Sequence, residues 1–292
     1  MQTNNQDSIR SRAFGIGTIN CPIRKYFKEF DRIRWAFFVG LLFFVVSTAF
    51  VLKAFVDNLM VNEVRLGSDG RLDPIDGWTV FDKFTNQSNV LLLIFAIFIV
   101  FFPKHQFLKN NKFLLATMVY IWFTFFGYNI VLSATGGAYG IIATQYDLAV
   151  SIWQHVITDI LFLVLGFLKM FWDPNSRLKS YWTTMLPGMI YPSLYLIYAA
   201  SIPVVFNHLN HDNFIDSNNF LAAIHEKNPN FIPVYSVYGS ATDVVNNPAI
   251  SGPAIAIMYI IFFPGSFAIV YYAYWGIQKH LGPKIPSYAK AH

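Results

Sequence analysis

Two blocks of sequence, RWAFFVGLLFFVVSTAFVLKAF at 34–55 and NVLLLIFAIFIVFFP at 89–103, are apolar around the whole circumference of any helix they form. A helix in water keeps a polar face; one without it must be buried in a large core or in lipid. Each block approaches the roughly 20 residues that carry a helix across a bilayer. Little else in the chain could solvate a large surface. Only 13% of its 292 residues are charged and 55% are hydrophobic, against about 25% charged in an ordinary soluble domain. The sequence therefore predicts an all-α integral membrane protein.

Similar blocks recur near 34–56, 79–103, 113–135, 147–171, 181–206 and 251–278, which predicts a bundle of six transmembrane helices. Residues 1–33 read as a basic leader, 34–280 as the membrane domain and 281–292 as a tail. The first block is too long for a cleavable signal peptide and follows a polar leader of about thirty residues. The single cysteine, Cys21, lies in that leader and cannot form an internal disulfide.

Orientation follows from the basic residues. Sixteen of the 21 Lys and Arg fall in or at the edges of the leader, the connections after the second and fourth spans, and the tail. The opposite side holds Lys53, Arg65, Arg71, Lys83 and Lys227, outnumbered by acids that include Asp57, Glu63, Asp69, Asp73, Asp76 and Asp82. Positive residues stay inside, so both termini are expected in the cytoplasm of a multi-pass cell-membrane protein. The anionic inner leaflet accounts for the net charge of +5, and no nucleic-acid partner is needed.

Two outward connections, about 57–78 and 207–250, are long. The first contains LGSDGRLDPIDGW and reads as turns, closed by Trp78 at the membrane interface. In the second, Phe214, Leu221 and Ile224 are spaced as one face of a short surface helix, with Ser217 or Asn218 as its cap. His208, His211 and Asp212 cluster there, but in a solvated loop they read as polar filler and no metal is assigned. The fifth span carries Pro187, Gly188, Pro192 and Pro203 and should bend. Its Tyr191, Tyr195 and Tyr198 recur at helical spacing and either line a cavity or pack in the bundle.

The second span opens on a polar run, Thr85, Asn86, Gln87, Ser88 and Asn89. Counting from Trp78 at 1.5 Å per residue, Thr85 lies roughly 10 Å in. Ser88 and Asn89 follow on its face. In the fourth span His155 and Asp159 are four apart, so their side chains are expected to meet. Ionisable groups inside a span are expensive, and by default functional. A carboxylate beside an imidazole orients it, and a hydroxyl at the far nitrogen completes a nucleophile–base–orienter set. Thr85 is at the depth for that hydroxyl, with Asn86 or Asn89 as oxyanion donors. The same residues also read as glue between helices. A proton path through His155 and Asp159 is a third alternative, short of the spread of ionisable groups such relays carry.

Six spans, an FTxQSN motif entering the second, a histidine early in the fourth and YPxxYLxY in the fifth resemble bacterial relatives of the androgen-induced-gene membrane proteins. The resemblance covers roughly 34–280. The chain is also similar to uncharacterised multi-span proteins of wall-less bacteria. The eukaryotic members of the first family are intramembrane threonine hydrolases of fatty-acid esters. The resemblance implies Thr85 as nucleophile and His155 as base. The bacterial relatives tend to carry proline where Asp159 stands, and the leader and the 207–250 loop have no counterpart. The reading taken forward is an intramembrane lipid-ester hydrolase. In it Asp159 orients His155, Asn86, Ser88 and Asn89 serve the oxyanion, and Tyr191 and Tyr195 face the substrate. No cofactor is required. The alternative is a non-catalytic membrane subunit or lipid-binding scaffold, with membrane lipid as partner and a protein docking on the outer loops or the leader.

Overall fold

Lipid offers the backbone no hydrogen-bond partners, so an apolar block must close its own bonds as a helix. The computed structural model describes residues 27–61, 63–66, 72–108, 111–132, 144–172, 180–214, 226, 230, 232 and 234–280. Helix α1 spans Arg32–Val61. Strands β1, Glu63–Leu66, and β2, Leu72–Ile75, pair antiparallel with Val64 opposite Pro74. A single turn, α2, covers Thr79–Asp82 and is followed by α3, Phe84–Phe101. Helix α4 runs Lys112–Phe126 and continues as π-helix over Gly127–Leu132. Helix α5 is Gln145–Trp172, with a π-helical segment at Trp153–Ile157. Helices α6, Tyr181–Gly188, and α7, Ile190–Phe214, meet at Met189. Helix α8 is Pro248–His280, π-helical over Met258–Phe262.

Five stretches are long and apolar enough to cross a membrane among the described residues: Arg32–Val61, Phe84–Phe101, Gln145–Trp172, Tyr181–Phe206 and Pro248–His280. The chain is a multi-pass helical membrane protein. Its helices expose apolar side chains that water would not tolerate in such number, among them Leu42, Val45, Leu52, Leu194, Ile197, Ile260 and Ile261. The third expected block, 113–135, is helical from Lys112 to Leu132.

Two local expectations shift. The 57–78 connection is not all turn, because α1 continues to Val61 and the hairpin follows. Gly, Asp and Pro signal the reversal correctly, while Val64, Leu66, Leu72 and Ile75 give its flanks strand character. The fifth span runs on to Phe214, so the outer connection begins later than 207. The surface helix proposed around Leu221 and Ile224 lies outside the described residues. The fifth block is interrupted at Met189. Pro192 has no N–H to return to the Gly188 carbonyl four residues back. That carbonyl instead accepts the Tyr120 hydroxyl at 2.6 Å.

The chain divides into two compact units, Met1–Phe50, Ser88–Gly188 and Ser266–His292 forming the first and Val51–Gln87 and Met189–Gly265 the second. The first has a core of fully buried Phe37, Phe44, Leu92, Phe95, Met118 and Phe162. The Phe95 ring meets Phe162 edge-on at 5.8 Å. At Gly166 the helices α4 and α5 come so close that a Cβ would lie 2.5 Å from the Met118 sulfur. Small residues permit such approach between helices in lipid. The second unit packs Val80, Phe84, Tyr195, Leu196, Val234 and Phe263, all buried.

Candidate functional site

In the second unit Lys83 is extended, with ψ 125°, which ends α2 and starts α3 one residue later. A helix start leaves its first N–H groups without intrahelical partners. Here the Phe84 N–H donates to the hydroxyls of Tyr195 and Tyr238, each at 3.0 Å. The polar run closes the other side of the break. Asn86 Nδ2 donates to the Val80 carbonyl and Gln87 Nε2 to that of Phe81, both at 2.6 Å. The Tyr191 hydroxyl donates to Gln87 Oε1 at 2.6 Å. So much hydrogen-bonding capacity at this position serves a helix that stops and restarts.

Asp82, at the break, is buried with 7% exposure and gathers three tyrosines. Its backbone carbonyl accepts the Tyr195 hydroxyl at 2.6 Å. Its Oδ1 accepts the Tyr198 hydroxyl, and its Oδ2 accepts that of Tyr235 at 3.0 Å. No ion pair to Asp82 is present among the described residues. Tyr235 and Tyr238 come from a loop ordered by its own side chains. Asp243 Oδ1 accepts the N–H groups of Val245 and Asn246, and Asn246 bonds both the N–H and the carbonyl of Ile232. Gly239 turns the loop with φ 55°, in the left-handed region that favours glycine. Burial pushes the Tyr235 hydroxyl well above its ordinary value, and the Asp82 carboxylate pushes it further. Burial raises Tyr238 as well.

Beside this carboxylate lies a cavity of about 270 Å³. Trp78, Tyr198, Phe206 and Tyr235 give it aromatic walls, Ile202 and Val205 aliphatic ones, and Asp76 and Asp82 its charge. Asp76 Oδ1 accepts the N–H groups of Trp78 and Thr79 at 2.7 and 3.0 Å, which fixes the turn into α2. A Cβ at Gly77 would lie 2.7 Å from Leu59, so any other residue in that turn would push the Leu59 and Phe55 side chains of α1 aside.

The first unit holds a different polar cluster. Asn89, fully buried, accepts the hydroxyls of Ser47 at 2.9 Å and Thr158 at 3.1 Å on its Oδ1. Its Nδ2 donates to the Gln154 carbonyl at 3.3 Å, and Gln154 Nε2 returns a bond to the Ser47 carbonyl at 3.4 Å. Three helices are thereby tied by neutral groups. The π-helical segment makes this geometry possible. The Thr158 N–H reaches back to the Trp153 carbonyl, and the Gln154 carbonyl takes the Thr158 hydroxyl and the Asn89 amide.

The expected site residues are thus distributed. Thr85 is half-buried in the second unit, with Asn86, Tyr191 and Tyr195, while Ser88, Asn89, His155 and Asp159 belong to the first. His155 is half-buried and its ring stacks on Tyr128 at 3.6 Å and 3°. Its backbone carbonyl accepts Asn129 Nδ2 at 2.8 Å. Asp159 is fully buried, and neither carboxylate oxygen has a hydrogen-bond partner among the described residues, so it does not bond His155. The physical reason is the π-helical turn at Trp153–Ile157, which widens the spiral so that residues four apart no longer stack. Of the three spaced tyrosines, Tyr198 lines the cavity and Tyr191 and Tyr195 do not. No group of three or more metal-binding side chains occurs among the described residues; His208 is exposed, and the side chains of His211 and Asp212 are outside them. The sequence reading missed Asp82, Tyr235 and Tyr238. An acid directly before the polar run was the available signal; nothing local marked the tyrosines.

Residues 148–280 match the family described as "Protein of unknown function (DUF1600)". The chain is similar to "Uncharacterized protein MG452 homolog" of Mycoplasma pneumoniae, with 34% identity over 86% of this chain and 89% of the relative. It is similar also to "Uncharacterized protein MG452" of Mycoplasma genitalium, with 32% identity over 88% and 86%. No solved structure matches. These relatives bear out the similarity to multi-span proteins of wall-less bacteria, and their descriptions name no activity. By identity and coverage, the chain belongs to the family of the uncharacterized mycoplasmal protein MG452.

Proposed function

We propose that the chain is a non-catalytic, lipid-binding scaffold of the cell membrane, crossing it six times with both termini in the cytoplasm. The observation that carries this reading is the engagement of the amide donors. Asn86, Gln87 and Asn89 each donate to a backbone carbonyl of the protein itself. An oxyanion hole requires donors aimed at the position where charge develops in a substrate. The Lys112–Leu132 stretch supplies the sixth crossing beside the five long ones. The basic leader, 1–33, and the outer connections are where a protein partner would dock.

A threonine-type lipid-ester hydrolase using Thr85 and His155 is the second reading. Besides the family resemblance, it is favoured by the π-helical setting of His155, since such segments concentrate at functional sites. Labelling of the purified chain by a fluorophosphonate probe separates the two. The scaffold reading expects wild type to stay unlabelled and inert toward lipid esters. Labelling that Thr85→Ala and His155→Ala both abolish, with helical content intact, would overturn it. Orientation has its own test, because Cys21 is the chain's single thiol. A membrane-impermeant maleimide should label intact cells only after permeabilisation.

A further inference from the structure

The cavity in the second unit combines three features that together select a ligand. It is small: about 270 Å³, below the roughly 300–1,000 Å³ of sites for drug-sized molecules. That is room for a headgroup. Its walls are aromatic, from Trp78, Tyr198, Phe206 and Tyr235, with Phe206 and Tyr235 held edge to face at 6.1 Å. It is anionic, because Asp82 contributes a carboxylate that has no ion-pair partner among the described residues. Aromatic faces attract cations through the ring quadrupole, by about 0.5–2 kcal/mol per contact in general. A buried carboxylate without a counter-ion favours a cation more strongly still.

The hydrogen bonds narrow the kind of cation. Each Asp82 oxygen already accepts a tyrosine hydroxyl. Asp76 Oδ1 is occupied by two backbone N–H groups. The lining hydroxyls of Thr79 and Ser201 are turned onto the carbonyls of Asp76 and Tyr198. A primary ammonium or a guanidinium entering here must replace its bonds to water and would have to share the carboxylate lone pairs with these donors. A quaternary ammonium has no N–H to satisfy and needs only charge and π-faces. The surroundings favour its approach, since Asp73 and Asp76 are acids of the same outward connection in a chain of net charge +5.

We propose that the Asp82 cavity is a binding site for a quaternary ammonium group, caged by Trp78, Tyr198, Phe206 and Tyr235. The inference deepens the lipid-binding reading and rests on it, naming the headgroup chemistry. The group arrives either as free choline or as the headgroup of phosphatidylcholine.

The test uses the full chain in maltoside detergent or in nanodiscs of phosphatidylglycerol, with radiolabelled choline in one arm and spin-labelled phosphatidylcholine in the other. Saturable binding of either is expected, with ethanolamine competing at least about tenfold more weakly than choline. Binding in the choline arm alone identifies the free cation as ligand; binding in the lipid arm identifies the headgroup. Asp82→Asn keeps an acceptor for the tyrosines and removes the charge, and should weaken binding by about tenfold or more. Trp78→Ala changes a side chain that is 72% exposed, leaves folding intact, and should weaken binding by about fivefold. Asp57→Asn, an exposed acid outside the cavity, should change nothing. Failure of folded wild type to bind either probe, or equal binding by Asp82→Asn and Trp78→Ala, would overturn the site. If the protein nonetheless retains phosphatidylglycerol, the scaffold reading survives that failure. Fluorophosphonate labelling that Thr85→Ala and His155→Ala both abolish would sink the scaffold reading without touching the cation site.

Discussion

The two units solve the same problem, polar groups inside a membrane protein, in opposite ways. In the first, Ser47, Asn89, Gln154 and Thr158 are neutral, fully or nearly fully buried, and bonded to one another across three helices. In the second, Asp82 brings a charge, its donors are tyrosines, one of which is 43% exposed, and a cavity adjoins it. A closed neutral knot stabilises a fold, since every buried donor and acceptor is answered within it. A carboxylate answered only by hydroxyls beside an open volume keeps its charge available to something else. The contrast separates the residues that hold the first unit together from those that could recognise a ligand in the second.

That contrast can be broken first at Asn89. Replacing it with Leu removes the shared acceptor of two buried hydroxyls and leaves the Gln154 carbonyl with one donor fewer. Each orphaned buried group costs about 1–3 kcal/mol, though interhelical bonds in lipid average about 0.6 kcal/mol. Asn89→Leu should therefore lose about 3 kcal/mol, read as a lower midpoint in detergent unfolding. Asp82→Leu should lose less, about 2 kcal/mol, because the half-exposed Tyr198 hydroxyl turns to water while that of Tyr235 cannot. Equal losses at the two positions would mean that the second network is as closed as the first. The smallest effect is alkaline. The neutral forms of Tyr235 and Tyr238 are the ones the fold favours, since burial raises both hydroxyls. Their contribution to stability is complete below the unfolded value near 10 and is lost as pH climbs above it. Ultraviolet titration should show these two ionising later than exposed tyrosines, and Tyr235→Phe should remove one of the late steps.

Much of the architecture was legible in the chain. Apolar blocks without a polar face became helices, and the proline-rich fifth block is interrupted at Met189. The separation of His155 from Asp159 was not legible, because a four-residue spacing implies contact only on a regular α-helix. Nothing in WQHVI announces the π-helical turn that separates them. The carbonyl partners of Asn86 and Asn89 were illegible for a related reason. An amide looks the same in sequence whether it faces a substrate or a carbonyl two turns away.

What the sequence determined by itself is therefore what short-range forces determine. Helix bonds close within a segment, so length and apolarity suffice to specify the membrane-crossing helices, and proline specifies their breaks. The tertiary structure alone decided where charge and aromatic rings converge. Tyr235 reaches Asp82 across 153 residues of chain and Tyr195 across 113. Such meetings depend on how whole helices and an ordered loop pack, and packing leaves no period in the sequence.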